Sequence, residues 1–102
     1  MKANISERFD YVFSSGMFNL CTGSNNAFMK EALERMWELC TAGMAFNFYS
    51  DTTRVKDSSI FYFSKSMVER FCRRLPGAEY HSKEEKSILL GNHVTAYVVK
   101  TA

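Results

Sequence analysis

The stretch Phe9-Asp10-Tyr11-Val12-Phe13-Ser14-Ser15-Gly16-Met17-Phe18-Asn19, read together with Gly43-Met44-Ala45-Phe46-Asn47-Phe48-Tyr49, decides the fold of this chain. Phe9 to Ser14 is a nearly unbroken β-prone apolar run. Without polar alternation it reads as a strand covered on both faces, hence a parallel strand, and Ser15-Gly16 reads as the turn at its C-terminal end. Met44 to Tyr49 is a second run of the same kind. A strand, a helix and a strand joined by short connections form a right-handed βαβ unit, so the two strands should be parallel neighbours. No glycine-rich, phosphate-cradling turn precedes them.

The intervening segment carries the helical period. Gly23-Ser24-Asn25-Asn26 offers turn residues and an N-cap, and Phe28 opens the helix. Met29, Ala32, Leu33, Met36 and Cys40 fall on one face, with Trp37 and Leu39 at its margins. Lys30, Glu31, Glu34, Arg35 and Glu38 lie opposite, and Glu31 and Arg35 are spaced for a pair. Gly43 is expected to stop the helix in a left-handed cap.

Beyond the second strand, Ser50 to Ser59 is polar and irregular and predicts a surface loop. Ile60-Phe61-Tyr62-Phe63 is too hydrophobic to remain in solvent and should pack back on the domain or meet a partner. Ser64 or Ser66 caps a second helix, the latter with Glu69 as a capping box, and its apolar stripe is Met67, Val68, Phe71, Cys72 and Leu75. Pro76-Gly77 ends it, with Arg70, Arg73 and Arg74 in the last turns, where cations suit the helix dipole. A short strand at Ala78 to His81, an Ile88-Leu89-Leu90 anchor, a Gly91-Asn92 turn and a strand at His93 to Lys100 complete the chain.

A length of 102 residues fits one domain, because a chain of this size buries roughly 65% of its unfolded surface and cannot divide that between two cores. Hydrophobic residues at 46% and aromatics at 15% exclude a disordered chain. The aromatic load exceeds what so small a core covers, which points some of it to an interface. With 13 basic and 11 acidic residues the charge is too balanced for a nucleic-acid binder. The apolar runs are far shorter than the ~20 residues of a membrane span, and the N-terminus opens no signal region. The expected location is cytoplasmic, with neither nucleic acid nor membrane as a partner. Cys21, Cys40 and Cys72 form neither a disulfide framework nor a zinc pattern and read as small buried hydrophobes. His81 and His93 lack a Glu or Cys at ligand spacing, so no metal site is expected. No nucleophilic triad can be assembled either, and no catalytic residue is assigned.

The pattern Asp10-Tyr11-Val12, Ser15-Gly16, Phe18-Asn19, then Gly43, Ala45-Phe46-Asn47, Phe61-Tyr62 and Phe71-Cys72-Arg73-Arg74-Leu75 resembles the C-terminal half of the class I S-adenosylmethionine-dependent methyltransferases. The resemblance covers about nine-tenths of the chain in the right order, although the last quarter matches in pattern more than in residues. It implies an α/β, truncated Rossmann-like fold: a parallel βαβ unit, a helix and a C-terminal antiparallel β-hairpin, holding the family's fourth and fifth strands and its terminal hairpin. The first three strands, with the glycine-rich cofactor loop and the ribose-binding acid, have no counterpart. Those groups supply most polar cofactor contacts in such folds, so the chain alone is expected neither to bind S-adenosylmethionine nor to transfer methyl groups.

Ligands of open α/β sheets bind beyond the carboxyl ends of parallel strands. Ser15, Gly16, Phe18 and Asn19 after the first strand and Asn47 and Tyr49 at the end of the second are therefore the candidate ligand-binding residues, though Asn at strand ends commonly serves turn backbone. Removing the front half turns the first strand into an edge, and exposed apolar edges recruit other chains. Tyr11, Val12, Phe13, Phe61, Tyr62 and Phe63 are the expected interface. Two functions follow: a non-catalytic, self-associating module, expected as a homodimer, or the complementing half of a split methyltransferase whose partner brings the N-terminal half-domain and the cofactor. A third possibility reuses the strand-end pocket for another small molecule. Arg70, Arg73 and Arg74 with Lys65 read as a solvated helical face before an anion site.

Overall fold

A computed structural model describes residues 9–15, 24–53, 56, 60–86 and 91–101. The elements are β1 (Phe9–Ser14), α1 (Asn25–Leu39), β2 (Cys40–Ser50), β3 (Tyr62–Phe63), α2 (Lys65–Arg73), β4 (Ala78–Glu85) and β5 (His93–Lys100). The sheet runs β1-β2-β5-β4, with β3 beside the end of β2. β1 and β2 are parallel, and β5 pairs antiparallel with both β2 and β4. This is the expected fold class: a parallel βαβ unit, a helix and an antiparallel hairpin.

Period-two alternation decides which side is core. Met44, Phe46 and Phe48 of β2 stand opposite Val98, Ala96 and Val94 of β5, and all six are buried. Against them pack Met29, Ala32, Leu33, Met36 and Trp37 of α1 and Val68 and Cys72 of α2, in one cluster. Each fully buried side chain of this size contributes about 1.5–3 kcal/mol. Both helices therefore cover one face, and the described residues form two layers.

Several boundaries differ from the sequence expectation. α1 begins at Asn25 and ends at Leu39; Cys40 is already extended at φ −92 and ψ 146 while its amide still donates to Met36 O. The strand thus begins earlier than Met44. Gly43 is no helix cap: it pairs with Tyr11 on one side and Val99 on the other, and the positive-φ glycines among the described residues are Gly77 and Gly91. The reason for glycine there is steric, since a Cβ would stand 2.8 Å from Val98 O. Lys100 Nζ closes the end of α1, donating to Trp37 O at 2.6 Å and to Cys40 O, with its charge 4.8 Å from the Trp37 ring centroid. A cation there offsets the negative end of the helix dipole.

α2 takes Ser64 as its cap, whose Oγ accepts from Met67 N at 3.3 Å, while Glu69 is engaged by Arg73 Nε at 2.8 Å and not by a capping box on Ser66. β4 extends to Glu85, well past His81, because every residue of it finds a partner on β5. The Ile60 to Phe63 cluster packs back on its own chain through β3. Cys21 and the Ile88-Leu89-Leu90 anchor lie outside the described residues, whereas Cys40 and Cys72 are buried free thiols.

Candidate functional site

The other face of the sheet is built by the odd-numbered residues of the same strands. Across it run Tyr11 and Phe13 of β1, Gly43, Ala45, Asn47 and Tyr49 of β2, and Val99, Tyr97, Thr95 and His93 of β5. No described helix covers it. Tyr11 is 73% exposed and Phe13 65%, which corrects the reading of β1 as a strand covered on both sides. Tyr97 and Val99 are exposed as well.

Gly43, which has no side chain, leaves a slot. Tyr11, Phe13, Gly43, Ala45, Tyr97 and Val99 are among the residues lining an apolar depression of about 210 Å³, with the Tyr11 ring 3.6 Å from where a Gly43 Cβ would stand. β1 is at the same time the terminal strand of the sheet, so its outer N–H and C=O groups have no neighbouring strand among the described residues. The open edge and the bare face meet along β1.

At its C-terminal end this face turns polar. Asn47 Nδ2 donates to Ser15 Oγ at 3.2 Å, so two of the residues singled out by the strand-end rule do meet. Tyr49 is half-buried between Tyr62, 6.1 Å away, and His93, 5.3 Å away, by ring centroids. Gly16, Phe18 and Asn19 lie outside the described residues. Ser14, on the helical side, carries a buried Oγ with no hydrogen-bond partner among the described residues.

The expected interface residues divide between the two faces. Tyr11 and Phe13 stand on the bare side. Val12 packs half-buried against the core, Phe63 is only 1% exposed, and Phe61 and Tyr62 are half-buried. Phe61 stacks edge-on to Phe63 with centroids 4.6 Å apart.

Sequence reasoning missed Tyr97, Val99 and the slot at Gly43. The signal was present in β5, where Val94, Ala96 and Val98 alternate with Thr95, Tyr97 and Val99, a strand with apolar residues on both faces. It also missed the clamp that holds the β2 end. Ser50 N donates to Asn92 O at 2.8 Å, and Asn92 N to Thr53 Oγ1 at 2.9 Å. Gly91, at φ +89 in a conformation that side chains rarely adopt, sits where a Cβ would crowd Thr53 at 3.2 Å and Tyr49 at 3.3 Å.

Outside the bare face, Lys65 Nζ meets Glu84 Oε1 at 2.7 Å, and that hydrogen bond holds the Glu84 carboxyl below its ordinary range. His81 is exposed and paired with Glu79. Among the described residues no group of His, Cys, Asp or Glu is placed to hold a metal ion, and no helix is long and apolar enough to cross a membrane.

No protein-family model matches the chain, and no curated protein matches it at the significance required. Two solved structures of magnesium protoporphyrin IX methyltransferase from Synechocystis PCC 6803 share its fold. The form with bound SAM superposes with a TM-score of 0.69 at 7% identity, covering 96% of this chain and 42% of that one. For the form with bound SAH the TM-score is 0.74 at 6% identity, over 96% of this chain and 48% of that one. The chain spans less than half the length of these methyltransferases. Its fold is thus a partial methyltransferase-like, Rossmann-type fold.

The described residues do not by themselves fit that cofactor. Backbone amides of a glycine turn after a parallel strand make such cradles, and the two left-handed glycines described, Gly77 and Gly91, precede β4 and β5 instead. Ser15, Asn47 and Tyr49 offer a hydroxyl, a carboxamide and a phenol at the strand ends.

Proposed function

We propose that this chain is the half of a methyltransferase-type domain that borders the acceptor, and that it works docked to a cofactor-binding half. The docking surface is the outer edge of β1 with the bare face of the sheet, and the other half comes from the same polypeptide or from another chain. One observation carries this reading: both described helices cover one face, while among the described residues nothing covers the opposite face, which is apolar where it adjoins the outer edge of β1. A doubly wound sheet is covered on both sides. Strands added beside β1 would satisfy its edge, and their crossover helices would land on Tyr11, Phe13, Tyr97 and Val99. The coverage of less than half of each methyltransferase structure supports the same division.

Self-association answers this surface less completely. A two-fold pairing of β1 with its copy would satisfy the edges and leave both bare faces wet. Stacking the bare faces would do the reverse. The strand ends at Ser15, Asn47 and Tyr49 lie on the docking side, so a cofactor held by the other half would face them.

The test is calorimetric titration of SAH into the chain alone and into its complex with the front half of a full-length methyltransferase whose own back half has been deleted. Binding is expected only in the complex, and Phe13→Glu is expected to prevent the complex from forming. Saturable micromolar binding by the chain alone overturns the reading, as does a homodimer in sedimentation that excludes the front half.

A further inference from the structure

On the opposite side of the molecule, in the helical layer, Lys30 of α1 and Arg70 and Arg74 from α2 and its C-cap line one crevice of about 260 Å³, with Met67 and Phe71 as its apolar lining. The other cations of the helices are matched: Arg35 stands 3.7 Å from Glu38, Arg73 2.8 Å from Glu69, and Lys65 2.7 Å from Glu84. Among the described residues no carboxylate lies within ion-pair distance of Lys30, Arg70 or Arg74. Arg70 Nε donates to Ser66 O at 3.3 Å, which leaves its two terminal amino groups for another acceptor. Arg70 and Arg74 are one helical turn apart, a spacing at which like charges repel. Three unmatched cations from two elements converge on one mainly polar hollow, with Met67 and Phe71 as its apolar part.

We infer that this crevice binds a small phosphate-bearing molecule with an apolar body. Guanidinium forks match phosphate oxygens in pairs, and Lys30 adds a point charge from the facing helix. Met67 and Phe71 are both half-buried and offer apolar surface to the remainder of the ligand. The crevice is open to solvent on one side, so a ligand's phosphate would meet the cations while its apolar body lies along Met67 and Phe71. This site stays open when the bare face of the sheet is covered, so it stands or falls independently of the proposed docking.

Phenyl phosphate and inorganic phosphate, titrated separately into the full chain, test it. Phenyl phosphate is expected to bind with Kd below about 1 mM and about fivefold or more tighter than inorganic phosphate, since only the ester buries a ring. Arg70→Gln with Arg74→Gln should weaken it about tenfold or more, and Lys30→Gln gives a second reading should the double variant fold poorly. Arg73→Gln with Lys83→Gln changes net charge equally outside the crevice and should leave the affinity within about twofold. Equal affinity for the two probes, equal loss in the control variant, or no binding of phenyl phosphate at 10-fold above the expected Kd overturns the inference.

Discussion

The two faces of the sheet come from alternate residues of the same strands, yet they differ in every physical respect. Phe46 and Phe48 on one face are fully buried beneath α1 and α2; Ala45 and Tyr97 on the other border an apolar slot with nothing described over it. In β2, Met44, Phe46 and Phe48 are committed to the core of this chain, while Gly43, Ala45, Asn47 and Tyr49 face the other side of the sheet. Under the proposed docking, stability and association lie in the same strand at a spacing of one residue, and substitutions on the two faces should separate them.

The largest separation is expected from Phe46→Ala set against Tyr97→Ser. The first removes a fully buried ring and should cost about 3–5 kcal/mol in denaturant unfolding. The second should change the stability of the isolated chain by less than about 0.5 kcal/mol while weakening docking of the front half. Comparable losses in both would break the distinction between the faces.

Alkaline unfolding probes how dry the helical side is. Burial pushes the Cys72 thiol from 9.0 up to about 12, and it pushes the Tyr80 phenol from 10.0 up to about 12, with Cys72 nearby adding to the effect. The unfolded chain releases these protons first, so stability holds below pH 9 and falls as pH rises toward about 12. Tyr80→Phe with Cys72→Ala should flatten that limb in thermal unfolding at stepped pH.

Gly43→Val sharpens the comparison from both sides, because its Cβ would press on Val98 O while its methyls fill the slot. A loss of about 1–3 kcal/mol together with weaker docking is expected, and docking unchanged would show that the slot receives nothing. Lys100→Met should cost about 1 kcal/mol by freeing the end of α1, without effect on the bare face. The smallest effect concerns Glu84. Its carboxyl is held below the ordinary 4.5 by the hydrogen bond from Lys65, so its contribution is present above that pH and is lost as pH falls through the lower folded value. Glu84→Gln should remove that acid limb and leave the neutral-pH melting temperature almost unchanged.

Much of this architecture was legible in the chain itself, because hydrophobic period reports which residues must leave water. The apolar runs at Phe9 to Ser14 and Met44 to Tyr49, the stripe from Met29 to Cys40 and the alternation from His93 to Lys100 fix two parallel strands, a crossover helix and a terminal strand. The strand-end rule placed Ser15 and Asn47 at the same end of the sheet, and the hydrogen bond between them is a finding of the structure. Other features depend on groups distant in sequence. Gly43 looked like a helix cap because glycine after a helical stripe usually is one, but the approach of Val98 O, which no local pattern encodes, makes it a strand residue and draws Cys40, Thr41 and Ala42 into the sheet with it. β4 extends through Glu85 because β5 offers partners, not because Ser82-Lys83-Glu84 favours a strand. The match of Arg73 with Glu69 lies within α2 at a four-residue spacing, whereas the convergence of Lys30 on Arg70 and Arg74 arises only when two helices are laid side by side. Period gives each residue a side of its own element, whereas which of those sides meets another element, and which is left bare, is settled by packing.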